Sequence, residues 1–185
     1  TVGPFQSNCH ILHDVDRDEI VVVDPGDDGD VINDVIEKLT GKVVAIWNTH
    51  AHIDHINANA TVQKKHEAPI SIHEVEAGWL ESEVYSGAAL FGLPFHPSKA
   101  DSTWKGGEEL ETLGRRWKVY HTPGHSPGMS CIVCDEENIF LGGDLLFRGS
   151  IGRMDLPGGN PQEMTDSLRG LFNDWGKDEW RVYSG

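Results

Sequence analysis

Thr49-His50-Ala51-His52-Ile53-Asp54-His55 sets three imidazoles and one carboxylate within six residues, directly after the apolar run Val43-Val44-Ala45-Ile46-Trp47. A strand over that run ends near Trp47, so the loop that follows presents its side chains at the strand's mouth. Neutral imidazole and carboxylate are natural ligands of zinc and of neighbouring first-row metals. The i, i+2 spacing of His50 and His52 brings both rings to one side of an extended segment. Asp54 and His55 lie one turn on, where they could hold a second ion. A lone histidine in a polar loop says little; a cluster this dense beside a buried strand points to metal.

Two further stretches supply the remaining donors. Thr122-Pro123-Gly124-His125-Ser126-Pro127-Gly128 follows the alternating segment Trp117-Lys118-Val119-Tyr120-His121, which places His125 on a Gly/Pro-shaped loop at a strand end. Ile139-Phe140-Leu141-Gly142-Gly143-Asp144 reads as a short apolar strand that ends on two glycines and a carboxylate. The glycines let the backbone pass close to a neighbour, and Asp144 sits where it could bridge two ions. Taken singly, His125 is a turn residue and Asp144 a cap. With the first cluster they complete a ligand set for two divalent metal ions, zinc ahead of iron or manganese.

Together these motifs resemble the metallo-β-lactamase superfamily, and within it the small glyoxalase II-like hydrolases. His50-x-His52-x-Asp54-His55, His125 and Asp144 carry the superfamily resemblance. The branch is carried by Val2-Gly3-Pro4-Phe5-Gln6-Ser7-Asn8-Cys9, by Asp24-Pro25-Gly26, by the run from His121 to Gly128, and by Gly143 to Phe147 running into Ser150 to Gly159. The resemblance spans nearly the whole chain. It implies a four-layer αββα sandwich, where the order of elements alone also allows an ordinary α/β sheet. It implies a first metal on His50, His52 and His125, and a second on Asp54 and His55, with Asp144 bridging. It also implies one more histidine, in a segment resembling Val182-Tyr183-Ser184-Gly185 continued by His-Gly. The sequence stops at Gly185 and starts inside Thr1-Val2-Gly3-Pro4 without Met. A single domain over residues 1–185, trimmed at both ends, is the expectation.

A chain of 185 residues is long enough for one substantial core. Its formal net charge of −15 speaks against nucleic-acid binding, which needs clustered Lys and Arg. No stretch approaches the ~20 apolar residues of a membrane span, and no signal segment is visible. Three cysteines form no disulfide pattern. Cys131-Ile132-Val133-Cys134 is formally a CxxC, but positions three apart on a strand face opposite sides. Core packing in a reducing cytoplasm is therefore expected.

Cys9 to His13 and Ile20 to Asp24 read as strands joined by the acidic turn from Asp14 to Glu19. Asp24-Pro25-Gly26 is either a plain tight turn or a place where Asp24 supports the metal loop from behind. Val31, Ile32, Val35, Ile36 and Leu39 repeat at helical spacing before Gly41. A helix over Asn57 to Glu67, a strand over Pro69 to His73 and a helical piece over Glu74 to Leu80 follow. Asn160-Pro161-Gln162-Glu163 starts a helix with Met164, Leu168, Leu171 and Phe172 on its core face. Arg181 to Tyr183 is a last strand. Between Ser86 and Ser102, Gly87, Gly92, Pro94 and Pro97 break regular structure around Leu90, Phe91, Leu93 and Phe95. That stretch is a lid over the metal edge or a loop with its aromatics tucked into the core.

The donor set predicts hydrolysis. A bound metal lowers the pKa of water to about 7, and the resulting hydroxide attacks a carbonyl that the ion polarises. A thiolate leaves without a protein acid, because its conjugate thiol is already fairly acidic. Asp54 is the expected catalytic residue, orienting the nucleophile. The resemblance implies a small-molecule thioester such as S-lactoylglutathione as substrate. Arg148 and Arg153 follow Asp144 closely and either reach an anionic substrate tail or form surface salt bridges. A persulfide dioxygenase of the same superfamily, with one iron on two His and an Asp, resembles Arg148-Gly149 and Gly152-Arg153-Met154-Asp155. The Phe5 to Cys9 run favours the hydrolase. A β-lactamase fits less well, with Asp144 at the bridging position and no Cys ligand there. A non-catalytic metal-binding module would instead close its ligand set.

Overall fold

The computed structural model describes residues 1–185. The first expected pair of strands forms as the hairpin β1 (His10–Asp14) and β2 (Glu19–Val23), each displaced by one residue from the sequence reading. In its turn the Asp14 carboxylate accepts from the backbone N–H of Asp16 and of Arg17, so the acidic run serves as a solvated turn. Then come α1 (Gly29–Leu39), β3 (Lys42–Trp47), the single turn α2 (Ile53–Ile56), α3 (Asn59–His66), β4 (Ile70–His73) and a 3-10 segment (Glu74–Glu81). The short helix α4 (Ala88–Phe91) and β5 (Ser102–Trp104) complete the first half. The second half holds β6 (Glu109–Thr112), β7 (Arg115–His121), β8 (Ser130–Cys134), β9 (Ile139–Gly143), the small hairpin β10 (Leu146–Phe147) and β11 (Ser150–Ile151), α5 (Pro161–Gly170), a π turn (Leu171–Trp175) and β12 (Arg181–Ser184).

Two five-stranded sheets result, in the orders β1-β2-β3-β4-β5 and β12-β9-β8-β7-β6. Alternation along their strands sorts the apolar residues into three cores. Val21, Val23, Ala45, Trp47, Trp117, Val119, Ile132 and Leu141 fill the space between the sheets. Trp47 and Trp117 meet there edge to face, with centroids 5.5 Å apart. Ile20, Val22, Val43 and Ile46 face outward against Ile32, Ile36 and Val62 of α1 and α3. Cys131, Val133 and Phe140 face outward against Met164 and Leu171. This is the expected four-layer αββα sandwich. The two ends of the CxxC behave as strand geometry requires, Cys134 in the middle core and Cys131 in an outer one. All three cysteines are free thiols.

One helix departs from the sequence reading, and another buries fewer of its apolar residues than it carries. In α1, Ile32 and Ile36 are buried but Val31 and Val35 are exposed. The buried polar partner on that helix is Asn33, which bonds His66 of α3. In α5 the Asn160 side chain caps the backbone N–H of Gln162 and Glu163 as expected. The helix passes into the π turn at Leu171, and the wider turn swings Phe172 out to 69% exposure. No helix is long and apolar enough to cross a membrane.

Strand direction positions the site. β2, β3 and β4 run parallel in one sheet; in the other β12 is parallel to β9, and β7 shares their direction through two antiparallel steps. Asp24, the loop from His50 to His55, Glu76, His125, Asp144 and Gly185 all follow the C-terminal ends of these strands. They therefore collect at one edge of the sandwich.

Candidate metal centre

Four imidazoles converge at that edge. Nδ1 of His52 lies 2.8 Å from Nε2 of His125, which lies 3.2 Å from Nε2 of His50. The His50 and His55 ring centroids are 4.1 Å apart. One donor atom each from His50, His52 and His125 falls within a 4.8 Å group, and so does one each from His50, His55 and Asp144. The Asp54 carboxylate is 3.4 Å from His55 Nε2, as is Asp144 Oδ1, while Asp144 Oδ2 is 3.4 Å from His125 Nε2. Asp144 thus touches both groups. All six residues read from the sequence as donors meet in one place.

The outer nitrogens show which atoms are free. His125 Nδ1 is 2.8 Å from the Arg153 carbonyl, which can only accept, so the hydrogen-bond network puts the proton on Nδ1. His55 Nδ1 is 3.1 Å from Asp24 Oδ2. Thr49 donates its hydroxyl to Asp24 Oδ2 at 2.7 Å and so is left to accept from His50 Nδ1 at 3.1 Å. The Nε2 lone pairs of His50 and His125 are thereby turned toward each other, 3.2 Å apart, while His55 Nε2 is turned toward Asp54 and Asp144. Lone pairs at such distances repel unless a cation sits among them. The same point is made by two buried atoms with no hydrogen-bond partner, His55 Nε2 and Asp144 Oδ1. The donor set therefore fits a metal ion.

Electrostatics agree. Burial, joined by the neighbouring imidazoles, holds His50 well below the usual histidine range and pushes His52 down to about 3. Burial also lowers His125, against the pull of Asp144. His55 is the exception. Burial opposes its charge, but Asp54, Asp144 and Asp24 surround it and raise it well above its ordinary value. Burial works against ionising Asp54 too, yet the His55 charge and the hydrogen bonds from His55 and Ser7 keep its carboxyl well below the usual range.

Sequence reasoning left the role of Asp24 open and missed three other residues. Asp24 accepts from the backbone N–H and the hydroxyl of Thr49 and faces His55, so it does support the metal loop from behind. Ser7 donates to Asp54 Oδ2 at 2.6 Å. Glu76, fully buried, accepts from Ala51 N and Gly128 N at 2.6 Å each and ties the His50–His52 loop to the His125 loop. Nothing in Glu74-Val75-Glu76 marks the third residue as special, because its partners lie 25 and 52 positions away. Gly26 is explained by close approach: any Cβ there would run into the Asp54 carbonyl oxygen.

A pocket of about 80 Å³ opens beside the centre, lined by Asp54, His52, His125 and Asp144 and walled by Phe5, Tyr85 and Phe91. The Ser86–Ser102 stretch divides its work. Gly87 and Phe91 line the pocket, whereas Phe95 packs on the helix-side core and Asn57 pins the Pro94 carbonyl and the His96 N–H. Arg153 also lines the pocket; Arg148 is exposed and does not.

A family model described as the metallo-beta-lactamase superfamily matches residues 2–181. The chain is 35% identical over 168 residues to the probable metallo-hydrolase YqgX of Bacillus subtilis, covering 90% of this chain and 79% of that protein. It is 30% identical over 170 residues to the hydroxyacylglutathione hydrolase GloC of Haemophilus influenzae, covering 91% and 80%. Among solved structures, the BLEG-1 B3 metallo-beta-lactamase superposes with a TM-score of 0.93 at 33% identity, covering 100% of this chain and 88% of that one. TTHA1623 in a di-iron-bound form gives 0.88 at 33% identity, covering 100% and 89%. With its αββα layers and its histidine-rich edge, the chain belongs to the metallo-beta-lactamase superfamily.

Proposed function

We propose that the protein is a metal-dependent hydrolase of thioesters of the S-lactoylglutathione kind. In this reading His50, His52 and His125 would hold one divalent ion, and His55, Asp54 and Asp144 would supply the donors for a second. The observation that carries it is the convergence of His50 Nε2, His52 Nδ1 and His125 Nε2, with the partnerless His55 Nε2 and Asp144 Oδ1, beside a pocket open to a substrate. A closed, purely structural site would leave no such opening. Imidazole-rich donors suit zinc, and also iron, the metal of the TTHA1623 structure.

When bound, such ions supply a Lewis acid and bring the ionisation of water close to neutral pH. The chain's residues do the rest. Asp24 and the Arg153 carbonyl fix the His55 and His125 rings by their Nδ1 protons. Asp54 stays ionised, is steadied by Ser7 on Oδ2, and accepts a hydrogen bond from a reacting water at the pocket floor. A thiolate leaving group asks for no acid, and the neutral, buried His52 and His125 offer none. GloC, a hydroxyacylglutathione hydrolase, supports the thioester.

The likeness to BLEG-1 favours a second reading, hydrolysis of a β-lactam amide. The deciding assay gives zinc-loaded protein S-lactoylglutathione and a chromogenic cephalosporin in parallel. Thiol release from the first, lost on chelation and without oxygen uptake, is the expected result. Cephalosporin opening alone would replace the thioester reading. Oxygen uptake with glutathione persulfide on the iron-loaded protein, and no thiol release with zinc, would make it a dioxygenase.

A further inference from the structure

The pocket beside the metal centre is small, about 80 Å³, so only the few atoms around a scissile carbonyl fit inside it. The rest of any substrate must lie on its rim, and the rim is apolar. Phe5, from the N-terminal turn, and Phe91, from α4, meet edge to face with centroids 5.0 Å apart. Both remain substantially exposed, at 46% and 39%. Tyr85, 56% exposed, stacks on Trp79 with centroids 5.6 Å apart and lines the same pocket. Leu156 and Pro157 also line the pocket. Rigid aromatic surface left in water beside a reactive centre is what an apolar ligand group covers.

Charge points the same way. Arg153 is the one cationic side chain of the pocket wall, and Asp155 engages it in a two-pronged pair at 2.7 and 2.8 Å. Both partners are more than half exposed, so the pair adds little stability. Its effect here is electrostatic: an approaching carboxylate meets a neutral pair, not a free guanidinium.

Resting on the thioesterase reading above, we propose that the Phe5–Phe91–Tyr85 rim selects thioesters whose thiol portion is uncharged and apolar, and discriminates against thiols that carry carboxylates. S-lactoylglutathione then tests the type of bond cleaved, while a neutral aromatic thioester is the better substrate. One desolvated aromatic contact is worth about 1 kcal/mol, and two such contacts give a preference of about ten-fold or more.

The test compares kcat/KM of zinc-loaded protein on the lactoyl thioesters of 2-phenylethanethiol and of glutathione. The phenylethyl thioester should be favoured about ten-fold, mainly through KM. Phe91→Ala, which removes one of these contacts, should cut the ratio about five-fold. Asp155→Asn, which frees Arg153, should narrow the ratio by raising the glutathione value. Equal or better turnover of S-lactoylglutathione by the unaltered protein would overturn the proposal, as would a Phe91→Ala loss that leaves the ratio unmoved. If neither thioester is cleaved, the thioesterase reading falls, and selectivity is read from calorimetric binding of the two nonhydrolysable thioether analogues. Tighter binding of the phenylethyl analogue supports the rim's role; tighter binding of the glutathione analogue sinks it.

Discussion

Asp24 Oδ2 lies 3.1 Å from His55 Nδ1, with both side chains almost fully buried. The contact fixes one nitrogen of His55 and turns the other toward Asp54 and Asp144. Asp24 also accepts from Thr49 N and Thr49 Oγ1, at 2.7 Å each, so a single carboxylate orients the donors on both sides of the centre.

Asp24→Asn should therefore weaken metal binding without removing a ligand. The amide can accept from Thr49 N or face His55, but it cannot take all three protons. Loss of such a supporting group costs about 10–100-fold in metal affinity. Competition with a chromogenic chelator reads this directly. Unchanged affinity would mean that His55 is held by something other than Asp24.

Glu76→Gln should destabilise the fold around the site. Both oxygens of Glu76 receive a backbone N–H, and an amide can replace only one of them. The other N–H is left buried against an NH₂ group, at a cost of about 1–3 kcal/mol. Burial pushes the Glu76 carboxyl up, but the two backbone donors and Ser126 pull it down. Thermal melting of the metal-free variant should fall by several degrees for a chain of this size. A melt equal to that of the unaltered protein would show that the two loops do not depend on this clamp.

The contrast between these two residues shows what the sequence carries. His50, His52, Asp54, His55, His125 and Asp144 were legible because ligands crowd at strand ends in short motifs. The sandwich was legible only through the family resemblance, because the order of elements alone also suits an ordinary α/β sheet; the two cores served by alternate residues of β2 and β3 appear only in the structure. Glu76 was not, because its meaning comes from loops far away in sequence. Phe172 was misassigned because helical spacing assumes a regular turn, and the chain widens at Leu171. The helix read from Val31, Ile32, Val35, Ile36 and Leu39 forms as α1, but its neighbours cover a narrower stripe than these residues span, so Val31 and Val35 stay exposed. Arg153 sits at the pocket as its place after Asp144 suggested, but Asp155, two residues on, changes what it offers a substrate.

The metal-free protein should lose stability in mild acid. His50, His52 and His125 are held below the histidine value, first by burial. In the unfolded chain they titrate near ~6.5. Below that pH the unfolded state binds more protons than the folded one, so stability falls as pH falls, down to about 3 for His52. His55 has the opposite sign: its raised value stabilises below ~6.5, and that contribution is lost as pH rises through the folded value. On the acid side His55 is protonated in both states and adds no slope. Urea unfolding of chelator-treated protein at pH 7, 5.5 and 4.5 should show a steadily falling midpoint. A flat profile would mean that the cluster takes up protons while still folded.

Asp54→Ala should abolish turnover, by more than about 100-fold in kcat, with the fold intact. The side chain is a quarter exposed at the pocket floor, so its loss opens little core. It removes both a donor beside His55 and the acceptor that orients the reacting water. Ser7→Ala takes away only the 2.6 Å hydrogen bond that steadies Asp54, and should cost a smaller factor, about three- to ten-fold. His121→Ala should be milder still, since that ring stacks on His73 and bonds the Pro127 carbonyl outside the pocket. Steady-state kinetics with circular dichroism on all three variants gives the ranking. Near-native turnover by Asp54→Ala would remove Asp54 from the chemistry and leave the three-histidine group to act alone.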